Sequence, residues 1–155
     1  MIKNVRGEKG LMIEPDTIKL LRECDAGIKM GVAAIDEVLE YVHHKTFHKL
    51  LSECKKKHEE LQDEIQILLE QYHDEGKEPN PMAKGMSWMK TNVKLVMDES
   101  DETIADLITD GCNMGVKSLH KYLNQYKAAD EKTKDITKRL INLEEKLAID
   151  IRQYL

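Results

Sequence analysis

Apolar residues recur three and four positions apart along most of this chain, and four separate stretches carry the period. Ile18, Leu21, Asp25, Ile28, Val32, Ile35, Leu39 and Val42 lie on one helical face, which predicts a helix over about 17–43. Phe47, Leu50, Cys54, His58, Leu61, Ile65, Leu68 and Tyr72 repeat the spacing and predict a second over 47–73, entered through HHKT with Thr46 placed to cap it. Ile104, Leu107, Gly111, Met114, Ser118 and Tyr122 predict a third over 100–127. Ile136, Leu140, Leu143, Leu147, Asp150 and Tyr154 predict a fourth over 131–154, following Asp130. Between the second and third, HDEGKEPNPMAKG breaks the period, so 74–99 is expected to be a crossover with a short helix between Met86 and Met97. Residues 1–15, with Gly7, Gly10 and Pro15, are expected to form an irregular arm, with Asp16 capping the first helix.

A weak internal duplication organises these elements. GIKMGV at 27–32 and GCNMGV at 111–116 share Gly, Met, Gly and Val at an offset of 84. At an offset of 82, Leu61, Ile65 and Tyr72 fall on Leu143, Leu147 and Tyr154. Two related helical hairpins joined by a long crossover give the connectivity of a ferritin-like four-helix bundle, up-down-down-up, in one all-α domain over 16–155. Each Gly-x-x-x-Gly pair lies on one helix face, where missing side chains let a neighbour approach closely.

Composition agrees with helices and narrows the function. Of the 155 residues 34% are charged and 5% aromatic, a balance that favours amphipathic helices over a sheet. The formal charge is -5, with Lys and Glu interspersed, so no nucleic-acid footprint and no basic membrane face is expected. MIKNVRGEKG lacks an apolar signal stretch and no segment approaches the ~20 apolar residues of a membrane span, so a cytoplasmic protein is expected. Three cysteines at scattered spacings (Cys24, Cys54, Cys112) do not form a disulfide framework or a zinc ribbon, and read as reduced, buried thiols.

Candidate chemistry is sparse. A di-iron bundle needs a Glu from each of two helices and Glu-x-x-His from each of the others. Glu40 to His43 and Glu70 to His73 have that spacing, but helix levels put them at opposite ends of the bundle and off the apolar stripe, on the solvated surface. The duplication offers a second test: Asp25 maps to Thr109, Cys54 to Ile136 and His58 to Leu140, so no symmetric ligand set exists. A single soft site remains, because His58 comes level with Gly111 and Cys112, and Gly31 opens space beside them. His58, Cys54 and Cys112, with Glu144 or Glu145, are the metal candidates; the alternative is a neutral, hydrogen-bonded core histidine between packed thiols. His44 and His48 are spaced four apart but straddle a turn, and suit adventitious nickel or zinc. Asp25 and Asp150 point inward and require partners if buried. No nucleophile elbow, Walker lysine loop or dinucleotide glycine pattern is present. Met86, Trp88 and Met89, with Met82 and Met97, make the crossover rich in adaptable apolar groups and a candidate contact surface for another subunit.

The plan, the lone Trp88 in the crossover, SDETIADL at the start of the third helix and the Gly-rich turn of that helix resemble a family of small bacterial ferritin-like bundles catalogued as a domain of unknown function. The resemblance covers about residues 17–155. Members carry Arg-Gly-Trp in the crossover and Gly-Glu-Asp in the third helix. Here those positions read Met86-Ser87-Trp88 and Gly111-Cys112-Asn113. The expectation is a non-enzymatic structural or interaction module without a cofactor, acting as a homo-oligomer or with a protein partner, the alternative being a metal-binding or redox protein.

Overall fold

The computed structural model describes residues 2–79 and 100–155. Within them lie four α-helices: α1 (Ile2–Leu39), α2 (Lys45–Gln71), α3 (Asp101–Gln125) and α4 (Glu131–Asp150), with a 3-10 turn at Ile151–Tyr154. The crossover candidates Met82, Met86, Trp88, Met89 and Met97 fall outside the described residues.

The start of α1 departs from expectation. The stretch 1–15, expected as an irregular arm, is helical from Ile2, with Pro15 inside the helix. A proline removes one backbone bond and a glycine weakens a helix by about 1 kcal/mol, yet neither forbids continuation. Asp16 therefore caps no helix of its own. Its carboxylate accepts from Ala128 N (3.0 Å), and Thr17 Oγ1 accepts from Asp130 N (2.9 Å), so both tie α1 to the loop ahead of α4. Thr46 is likewise not a cap: α2 begins at Lys45 behind an extended His44 whose side chain makes no capping bond. The neighbouring donors go to α3 instead, where Asp101 accepts from His43 N (2.8 Å) and His44 N (2.9 Å). The two caps in the second half are local. Ser100 Oγ accepts from Thr103 N, and Asp130 Oδ1 from Thr133 N.

Those ties also fix direction. The Asp16 turn of α1 lies beside the start of α4, and the starts of α2 and α3 lie together, so the four helices run up, down, down, up. Packing joins α1 to α2 and α3, and α4 to α3 and α2, making each neighbouring pair antiparallel.

The core falls into two apolar clusters. Near the start of α2, Phe47, Leu51 and Cys54 pack with Ile35, Val38, Ile104, Leu107, Ile108, Cys112, Leu147 and Ile151. Near its end, Leu61, Ile65 and Leu69 pack with Leu20, Leu21, Ile28, Leu119, Ile136 and Leu140. Each fully buried Leu or Phe contributes about 1.5–3 kcal/mol. On α3 the buried stripe runs through Ile108, Cys112 and Leu119, which leaves Met114 51% exposed instead of inward. Met30, its repeat counterpart, is 38% exposed. No helix among the described residues is long and apolar enough to cross a membrane.

Candidate functional site

His58 sits at the boundary between the two apolar clusters, buried to 1%. The positions either side of it on α2, Cys54 and Leu61, belong to opposite clusters. Its ring is held at both ends. Nδ1 donates to the carbonyl oxygen of Cys54 one turn earlier (2.8 Å), with Cys54 Sγ at 3.5 Å. Nε2 meets Glu144 Oε1 of α4 at 3.0 Å, and the Glu144 side chain is 12% exposed. The charge of the same carboxylate acts on the buried Cys112 thiol of α3. One imidazole and one carboxylate thus join α2 to α4 across the core.

The fourth helix contributes absence. A Cβ on Gly31 would lie 3.2 Å from His58 Nε2 and 3.7 Å from Glu144 Oε1. A Cβ on Gly115 would lie 3.5 Å from Glu144 Oε2. These two glycines are equivalent in the internal duplication, and both border the pair. The space beside Gly31 expected from sequence is therefore present and filled by the histidine ring.

Protonation follows from the geometry. A carbonyl only accepts, so Nδ1 carries a hydrogen, and a carboxylate 3.0 Å from Nε2 requires a proton between them. Burial opposes a charged ring, but hydrogen bonds to Cys54 and Glu144, together with the Glu144 charge, outweigh it and push His58 up to about 10. The raised value favours an imidazolium over the neutral core histidine that its sequence context suggested. Burial and the Glu144 charge push the Cys112 thiol well above the ordinary range, so it stays protonated. Cys24 is pushed up to about 12 by burial, against a bond to Thr137 Oγ1 at 3.2 Å. All three cysteines are free and buried.

The metal candidates divide by the ring. Cys54 meets the Nδ1 edge and Glu144 meets Nε2, whereas Glu145 is exposed. Among the described residues, no three His, Cys, Asp or Glu side chains form a group that could hold a metal ion. The layer does not fit a di-iron centre, because it offers one carboxylate. Glu40, His43, Glu70 and His73 are all exposed. His44 and His48 are exposed too, their Nδ1 atoms 3.4 Å from Thr46 Oγ1 and Ser52 Oγ respectively.

Asp25 forms a second buried polar centre. It is fully buried and accepts from Lys29 Nζ (2.9 Å), Gln66 Nε2 (3.2 Å) and Lys77 N (3.0 Å). The loop after α2 is clasped there: Asp74 accepts from Arg22 Nε (3.1 Å), and Lys77 Nζ reaches Glu23 (2.6 Å). Gly76 turns that loop at φ +85°, where a Cβ would collide with Asp25 Oδ2. Asp150, by contrast, is only partly buried and pairs with Lys146 at 3.1 Å. Sequence spacing flagged Asp25 and His58 as inward, but the donors of the 74–77 loop carried no periodic signal.

No protein-family model, no curated protein and no solved structure matches the chain.

Proposed function

We propose that this chain is a ferritin-like four-helix bundle that acts as a non-enzymatic structural or protein-interaction module in the cytoplasm, without a di-iron centre. One observation carries the reading: the polar layer at mid-height is closed on itself, with both ring nitrogens of His58 engaged and its carboxylate partner supplied by the other hairpin. An oxygen-activating bundle keeps several carboxylates free for metal at this height. The only buried side-chain polar atom without a partner among the described residues, Thr133 Oγ1, lies near the start of α4 and is a hydroxyl unsuited to such chemistry. The up-down-down-up course and the paired Gly31 and Gly115 support the ferritin-like reading and the kinship with the domain-of-unknown-function bundles. Met30 and Met114, exposed beside those glycines, support contact with a second copy or another protein.

Two measurements on untagged full-length protein test this. Sedimentation velocity across a range of concentrations is expected to show self-association, or else a monomer that recruits a defined partner. Aerobic addition of Fe(II) is expected to show oxidation no faster than in buffer; catalysed oxidation would overturn the module reading.

A further inference from the structure

Four of the five large apolar side chains exposed among the described residues form repeat-related pairs. Met30 matches Met114 at the offset of 84, and Ile67 (59% exposed) matches Ile149 (54%) at the offset of 82. We propose that the outer face of α2 and α4, which carries the two isoleucines, docks a second copy of this chain. The second copy lies antiparallel, with the basic half of its α2 against the acidic half of α2 here. The proposal rests on the interaction-module reading and names the partner.

Three observations carry it. The first is geometry. Ile67 follows buried His58 by nine residues and Ile149 follows buried Leu140 by nine, half a turn round the helix, so both point away from the core. The ties of His58 to Glu144 and of Glu64 to Arg139 set Glu60 of α2 level with Asn142 of α4. Each isoleucine stands seven residues from that level, about 10 Å, toward opposite ends of the bundle. Turning a second copy end over end about that level therefore brings its Ile149 to the height of Ile67 and its Ile67 to the height of Ile149, an isologous contact.

The second is charge. Between Lys45 and Lys57, α2 carries five lysines and one acid, Glu53. Between His58 and Gln71 it carries five acids and neither Lys nor Arg. This order opposes the helix macrodipole, and α2 has no acid in its first turn and no base in its last. Lys55 is answered by Asp36 and Glu64 by Arg139. Lys45, Lys56, Asp63 and Glu70 are exposed and form no ion pair among the described residues. An antiparallel second α2 sets its Lys49 and Lys56 over the stripe of Glu64, Asp63 and Glu70, so the potentials complement each other.

The third is access. The loop after α2 leaves over α1, where Lys77 meets Glu23 and Glu78 meets Lys29, and not over α4. Over the ~30 Å that α4 runs beside α2, two helices about 10 Å wide present about 600 Å2, the scale of a reversible contact that salt weakens.

Sedimentation velocity on untagged full-length protein over a concentration series tests this. A monomer–dimer equilibrium is expected, with Kd rising about tenfold or more between roughly 50 and 500 mM salt. Ile67→Asp/Ile149→Asp is expected to abolish the dimer, and Lys49→Glu/Lys56→Glu to weaken it about tenfold or more. Adding Asp63→Lys/Glu70→Lys to the latter is expected to restore it, because the exchanged charges are complementary again. Glu60→Gln, which removes a like-charge pair on the two-fold axis, is expected to tighten it. All these side chains are exposed, and unchanged circular dichroism checks that the variants fold. A monomer at every concentration would overturn the proposal and leave the module reading standing, since that reading fails on catalysed iron oxidation. Failure of the exchanged charges to restore the dimer would overturn it too. So would a dimer that survives Ile67→Asp/Ile149→Asp but is lost in Met30→Asp/Met114→Asp, which assigns the contact to α1 and α3.

Discussion

Asp25 and Glu144 are two carboxylates in one core, and they meet burial differently. Asp25, fully buried, is answered by a loop: Lys77 N, Lys29 and Gln66 converge on it, and Gly76 is shaped around it. Glu144, partly reachable by solvent, is answered by a single ring from the opposite hairpin. The first arrangement anchors the root of the crossover to α1. The second ties the two hairpins to each other. A carboxylate with three fixed donors keeps its anchorage at any pH that leaves it ionised, whereas one held by a titratable ring loses its partner's charge as pH rises.

The largest expected loss comes at Asp25. Replacing it with Ala leaves Lys29 and a backbone N–H without their buried acceptor, a cost of about 3–5 kcal/mol in chemical denaturation. Gly76→Ala attacks the same centre from the loop, through both its positive φ and the collision with Asp25, and is expected to cost about 2–4 kcal/mol. If both changes prove mild, the clasp is ornamental and the comparison collapses.

Glu144→Gln should cost less, about 1.5–3 kcal/mol, because the ring can shed its proton when the charge opposite is removed. The contrast sharpens with pH. A histidine held at about 10 in the folded chain and near 6.5 when unfolded stabilises the protein fully below pH 6.5, and that contribution fades as pH rises toward 10. Metal-free protein is therefore expected to lose stability between pH 6.5 and 8.5, and His58→Leu to lose much less. Above about 8.5 the raised thiols of Cys24 and Cys112 add a loss of the same sign in both proteins, so the lower window isolates the histidine. Equal slopes in that window would assign the pH dependence elsewhere.

The smallest effects separate two glycines one turn apart. Gly27 faces open space, so Gly27→Ala is expected to stabilise α1 by up to about 1 kcal/mol through helix propensity. At Gly31 the new methyl would press on His58 Nε2 at 3.2 Å, offsetting that gain or reversing it by about 1 kcal/mol. Matched stabilisation at both sites would mean that the ring is not held against α1.

These pairs also show what was legible in the sequence. Helix spacing located the four helices, put Asp25, Cys54 and His58 inside, and aligned His58 with Gly31, Cys112 and Glu144, because a helix translates residue number into height and face. Spacing could not show that Asp101 caps the turn at His43 and His44, or that Asp16 and Thr17 hold the loop before α4, since these donors and acceptors meet from 57 to 113 residues apart. Pro15 and two glycines looked like a boundary because they weaken a helix locally, yet α1 runs through Pro15 from Ile2. Spacing also gave no sign of the carboxylate that faces His58, for a similar reason: that partner lies 86 residues away, on another helix.

Nitrogen-15 NMR of the His58 ring in metal-free protein at pH 8 tests the closed polar layer most directly. Both ring nitrogens are expected to be protonated, with titration well above the ordinary value of 6.5 and loss of that state in Glu144→Gln. A neutral ring at pH 8, or one titrating at or below 6.5, would contradict the tie between the hairpins and with it the reading of this core as a closed structural layer.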